Sequence, residues 1–191
     1  MSSMLLSACG TTQPDASLLD KTLGLFGLQT ATDNKAVASG DDLLKALRPN
    51  RIPLRIHAGD LLNSDGAQRP LSLVVKVYKL KAYEEFLRVP YSAFSQDAYK
   101  GEEIVSSREL VLLPGQHHEV EESLPRDAPY LAVVALYKAP DAQRWRFVFD
   151  VASSAKDGIT LGAHQCALSV SQGDTVGAAP ENRRLAGTVC R

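Results

Sequence analysis

From Pro49 onward the hydrophobic residues recur every second position, in short runs broken by turn formers, and this period rules out a helical domain. Ile52, Leu54, Ile56 and Ala58 alternate with Arg51, Pro53, Arg55 and His57, which describes a half-buried strand with one wet face. Leu71, Leu73, Val75 and Val77 extend a second strand. Leu110 and Leu112 lie on a third, and Pro114-Gly115-Gln116 turns it into a fourth carrying His118, Val120 and Leu124. Tyr130 to Tyr137 is apolar at nearly every position, the mark of a central strand covered on both faces. Trp145, Phe147, Phe149 and Val151 alternate with Arg144, Arg146 and Asp150, and Cys166, Leu168 and Val170 with Gln165, Ala167 and Ser169. The expected fold is all-β: a two-sheet sandwich of seven or eight strands over residues 50–191. One helical segment interrupts it, Tyr83 to Leu87 followed by Pro90, Tyr91 and Phe94.

Ahead of the strands, residues 10–49 predict a linker and short helices. Leu18, Leu19, Leu23, Leu25, Phe26 and Leu28 form an apolar stripe on a helix starting near Asp15, and a second helix spans Asp41 to Leu47. Residues 1–9 end in Leu6-Ser7-Ala8-Cys9, which resembles a lipobox: an aliphatic residue, two small residues for a signal peptidase, then a thiol to carry lipid. The basic stretch and apolar run of about 7–15 residues that should precede it are lacking. Two readings stand: a lipoprotein signal whose start lies outside the chain, or a cytosolic protein in which the tetrad is accidental. If Cys9 carries lipid, the chain's other two cysteines, Cys166 and Cys190, remain as a pair. They are either a bridge pinning the C-terminal tail to the sheet, worth roughly 3 kcal/mol, or two unrelated thiols.

Charge and motif content narrow the function. Lys+Arg 21 against Asp+Glu 22 leaves a net charge of -1, so no basic field recruits nucleic acid. Lys76, Lys79 and Lys81 are expected to be a solvated strand edge. No apolar run reaches the roughly 18 residues of a membrane-spanning helix. The sequence has no GxSxG, HExxH, glycine-rich phosphate loop or DxDxDG motif. His117-His118 with Glu119, Glu121 and Glu122 is its sole His/acid concentration, and alternation sends the two imidazoles to opposite faces. Neither a catalytic residue, a metal site nor a cofactor is expected.

One segment is longer than a sheet needs. Gly59 to Pro70 joins the first two strands, where a hairpin requires only about 2–5 residues. It holds the turn formers Asn63, Asp65 and Gly66, and two consecutive leucines, Leu61 and Leu62, that cannot both point inward. An irregular loop held by a rigid sandwich is a common binding surface.

Leu61 to Gly66, Arg69 to Lys81, Phe86, Tyr91 to Phe94, Glu109 to Gly115, Tyr130 to Tyr137 and Arg144-Trp145-Arg146 together resemble the TssJ family, the type VI secretion lipoproteins also called SciN or VasD. The resemblance runs in order from Ile52 to Val170. It implies a transthyretin-like sandwich without catalysis, lipidated at Cys9 and tethered to the periplasmic face of the outer membrane. Gly10 fits that sorting, because Asp at this place commonly retains lipoproteins in the inner membrane. The implied partner is the periplasmic C-terminal domain of TssM, an inner-membrane protein. The implied contact is the loop between the first two strands, here Leu61, Leu62, Asn63, Ser64, Asp65, Gly66, Gln68 and Arg69, with Leu61, Leu62 and Arg69 expected to dominate. A competing reading, carried by Trp145, Tyr130 and Tyr137, is a periplasmic sandwich that binds a small molecule or carbohydrate.

Overall fold

A computed structural model describes residues 50–190. The lipobox with Cys9, the linker and both N-terminal helices lie outside the described residues. The elements run β1 (Asn50–Ala58), β2 (Leu73–Leu80), α1 (Glu84–Arg88), α2 (Tyr91–Ser95), β3 (Ile104–Leu112), β4 (His117–Leu124), β5 (Tyr130–Ala135), β6 (Arg146–Asp150), α3 (Val151–Ser154), β7 (Ile159–Ala163), β8 (Leu168–Gln172) and β9 (Thr175–Val176). A 3₁₀ turn follows at Pro180–Arg183.

The strands form two sheets, one ordered β4-β1-β7-β8 and the other β3-β2-β5-β6-β9. Ile52, Leu54 and Ile56 of β1 face Leu73, Val75, Val133, Phe147 and Phe149 of the opposite sheet in one continuous core, all at most 1% exposed. Leu131 to Ala135 are fully enclosed because β5 lies between β2 and β6, as expected for a central strand. The architecture is the all-β sandwich.

Nine strands are present among the described residues, because two lie where the alternation was not followed. β7 sits between Gly158 and Ser169 and pairs parallel to β1, Ile56 opposite Leu161 and His57 opposite Gly162. Gly162 lies mid-strand, where a side chain would meet the His164 ring and the Ser169 hydroxyl. β9 is only two residues long. The inserted segment is two short helices rather than one, divided by Pro90, whose extended backbone caps α2. Val151 opens α3 instead of closing β6, since the Asp150 carboxylate accepts the Ser153 amide at 2.7 Å as an N-cap. Cys166 lies in the β7–β8 turn, outside any strand.

Two charged groups expected in water are buried. Lys76 is 5% exposed: β2 is interior to its sheet, and Lys76 ion-pairs with Asp97 at 2.9 Å and Glu109 at 2.8 Å. Burial pulls its ammonium down, but the two carboxylates outweigh it and raise the group above its ordinary value. Arg144 precedes β6 and is 7% exposed, donating to the carbonyls of Arg184 at 2.9 Å and Ala186 at 3.0 Å, so it binds the C-terminal tail.

Arg146 fixes the helical insertion. Its guanidinium donates to the carbonyls of Phe86 at 2.8 Å, Val89 at 2.7 Å and Leu87, groups left free at the end of α1. Its charge also lies 4.4 Å from the centre of the Trp145 ring. Phe86 and Phe94 meet Tyr78 of β2 edge to face, so the outer side of this sheet carries a second aromatic layer.

Candidate functional site: the loop between the first two strands

Between β1 and β2 the chain leaves the sandwich and returns in a loop with an anchored base and a projecting tip. Gly59 begins it, donating its amide to Ala163 of β7 at 2.8 Å. Leu61 and Leu62 then part: Leu61 is 49% exposed and Leu62 0%, inserted in the core. Asn63 follows at φ 47, a left-handed conformation that Asn tolerates better than most residues. It is 7% exposed, and its amide group ties three parts of the chain together. Nδ2 donates to the Ser72 carbonyl at 2.8 Å, Oδ1 accepts the Lys138 amide at 2.8 Å, and its own backbone N–H reaches the His164 carbonyl at 3.2 Å.

The tip is closed by Asp65. One carboxylate oxygen accepts the amides of Ala67 and Arg69, each at 3.0 Å, and the other accepts Arg69 Nε at 2.9 Å and Nη2 at 2.7 Å. Arg69's side-chain hydrogen bonds, then its backbone amide, hold the Asp65 carboxyl below its ordinary range. Gln68 sits at φ 56, strained for a residue of its kind, and its amide donates to the Asp65 carbonyl at 2.8 Å. Leu61, Gly66, Gln68 and Arg69 are therefore displayed to solvent, and Ser64 and Asp65 are half-buried. Leu62 and Asn63 are enclosed. Their surfaces are taken up in holding the loop to the sandwich.

The alternation missed the third wall of this end. Cys166 and Cys190 are joined in a disulfide with Cα atoms 5.6 Å apart. With Leu185 and Thr188 of the C-terminal tail they line a cavity of about 420 Å³ shared with Gly59 and Leu61. Leu185 and Val189 are exposed beside it. The signal available in the sequence was the pairing of Cys190 with Cys166, which forces the tail to the loop end.

The aromatic residues of the competing reading are each engaged by other residues of the fold. Trp145 is 6% exposed, with Tyr91 against its ring at 5.1 Å and Phe94 at 5.5 Å. Tyr137 is 2% exposed, its hydroxyl accepting the His164 amide at 3.3 Å, and Tyr130 packs on Tyr83. Beside Trp145 runs an open groove of about 630 Å³ between α2 and the stretch from Gly177 to Asn182, outside the packed interior. His117 and His118 take opposite sides of β4, and among the described residues no three His, Cys, Asp or Glu side chains gather as a metal set. No helix among the described residues is long and apolar enough to cross a membrane.

Comparison with known proteins places this geometry. A chain in the solved structure described as "T6SS protein TssM C-terminal domain (869-1107) from EAEC" superposes with a TM-score of 0.56 at 25% identity, over 63% of this chain and 96% of that one. The T6SS lipoprotein TssJ1 from Pseudomonas aeruginosa gives a TM-score of 0.56 at 28% identity, over 65% of this chain and 96% of its own. Serratia marcescens Lip, a membrane-bound component of the type VI secretion system, shares the fold with a TM-score of 0.56 at 23% identity, over 65% and 98%. No curated protein matches by sequence. The sequence profile described as "Type VI secretion lipoprotein, VasD, EvfM, TssJ, VC_A0113" matches residues 50–166, more than half of the chain, and the protein therefore belongs to the type VI secretion lipoprotein family.

Proposed function

We propose that this protein is a lipid-anchored adaptor of the type VI secretion membrane complex. Cys9 carries the lipid that holds it at the periplasmic face of the outer membrane, and the exposed side of the Gly59–Arg69 loop grips the periplasmic C-terminal domain of TssM. It makes and breaks no bond. The carrying observation is the built loop: Leu62 and Asn63 bind it to the sandwich, Asp65 and Arg69 close its tip, and Leu61 and Gln68 are left facing outward. Holding a loop in one shape before contact lowers the ordering cost of binding. Family membership supports the lipoprotein part, and the likeness to a chain in a structure named for the TssM C-terminal domain supports the partner.

An acyl chain contributes about 0.8 kcal/mol per buried CH₂, so the several chains of a lipoprotein anchor are effectively permanent. The protein grip, by contrast, rests on one loop and predicts an interface near the lower end of roughly 1,200–2,000 Å². A photoreactive residue placed at Gln68 is expected to capture TssM in intact envelopes, and Cys9→Ser is expected to release the protein from the outer-membrane fraction. Capture of no envelope protein, or an unchanged fraction for the Ser variant, contradicts the corresponding half of the reading.

A further inference from the structure

The chain has four histidines, and two of them meet across neighbouring strands. His57 near the end of β1 is the register partner of His117 at the start of β4. Their rings stand edge to face with centroids 4.7 Å apart, and the two Nδ1 atoms approach to 2.6 Å. Both side chains are exposed. At that separation one ring donates its Nδ1–H to the Nδ1 lone pair of the other, the roles depending on the tautomer, so the two nitrogens face a common point between them.

We propose that this point is a binding site for a divalent transition-metal ion, with His57 and His117 as a pair of imidazole ligands and water completing the shell. Imidazole nitrogen selects Zn²⁺ or Cu²⁺, whereas Ca²⁺ and Mg²⁺ require oxygen ligands. A zinc ion about 2.0–2.1 Å from each nitrogen sets tetrahedral ligands roughly 3.4 Å apart. The rings must therefore part by less than about 1 Å, a motion that rotation of two exposed side chains supplies without disturbing the strands. On the same face the Arg55 guanidinium is already paired, its Nε 2.7 Å from the Glu119 carboxylate. His164 stands across Gly162 with Nε2 on the Ser169 hydroxyl at 2.9 Å, outside the pair. An ion here joins β1 to β4 two residues before the loop begins at Gly59. Ligation through both Nδ1 atoms needs each ring's proton on Nε2, so the donor ring changes tautomer when the ion enters.

The test uses the untagged full chain carrying Cys9→Ser, so that the free thiol contributes no ligand. Zn²⁺ and Cu²⁺ are titrated in competition with a chromophoric chelator. One ion per chain is expected, with a Kd below about 100 µM. His57→Ala and His117→Ala are each expected to weaken it at least about tenfold, the advantage of two ligands held at fixed spacing, while His118→Ala and His164→Ala bind as the parent. The paramagnetic resonance spectrum of the Cu²⁺ form is expected to show two coupled imidazole nitrogens, a readout that needs no variant. Absence of binding at 1 mM, unchanged affinity in either His57→Ala or His117→Ala, or a spectrum with fewer than two imidazole nitrogens overturns the proposal.

Discussion

The Asp65 carboxylate receives Arg69 three times, through the backbone amide, Nε and Nη2, at 3.0, 2.9 and 2.7 Å. Two residues four apart thereby turn a projecting segment into a closed ring.

That ring has a pH signature. Its acid is held below an ordinary value of 3.8, so its contribution is present above that value and is lost as pH falls through the lower folded-state value. Nuclear magnetic resonance titration is expected to move the Ala67 and Arg69 amides together with a midpoint below 3.8, and Asp65→Asn to abolish the transition. A midpoint at or above 3.8 contradicts the ring.

Neighbouring leucines separate folding from recognition. Leu62→Ala removes a side chain with 0% exposure and is expected to cost about 2–5 kcal/mol in urea denaturation. Leu61→Ala, at a site 49% exposed, is expected to stay within about 0.5 kcal/mol of the parent. Equal losses contradict the assignment of one leucine to the core and the other to the partner face.

Cys190→Ser opens the bridge that brings the tail to the loop end. The expected loss is about 2–4 kcal/mol, matched by adding reductant to the parent protein. Arg144 still holds Arg184 and Ala186, so amides after Ala186 should lose exchange protection first. Uniform loss along the tail contradicts this division.

Arg146→Lys keeps the charge but cannot reach three carbonyls with a planar fork. The expected cost is about 1–3 kcal/mol, and fluorescence of Trp145, the chain's single tryptophan, should shift to the red as the helices lift from the sheet. An unchanged spectrum with unchanged stability contradicts the clamp.

The parts of the fold legible in the sequence are those where burial follows local period. β1 shows its two faces at Ile52/Leu54/Ile56 against Arg51/Arg55/His57, and β5 shows its double burial. Loop length alone marked Gly59 to Pro70, and the rule that consecutive leucines diverge matches the exposures of Leu61 and Leu62. What escaped was set by tertiary partners. β7 pairs parallel to β1 across a distant crossover, and its Gly162 is explained by the His164 ring and the Ser169 hydroxyl lying above it. Lys76 reads as solvated until the helices bring Asp97 over it, and Arg144 until the tail supplies carbonyls. The meeting of His57 with His117 depends on antiparallel register, which no local pattern reports.

Because Leu62 belongs to the core, excising the whole loop would confound folding with binding, and the decisive experiment changes only exposed residues. Calorimetric titration of the periplasmic C-terminal domain of TssM is to be made with the parent protein and with a Leu61→Asp, Gln68→Glu variant of matched thermal stability, which leaves the Asp65–Arg69 closure intact. The account predicts saturable binding by the parent and at least a hundredfold weaker binding by the variant, about 2.7 kcal/mol. Equal affinity of the two, or no binding by the parent, would contradict it.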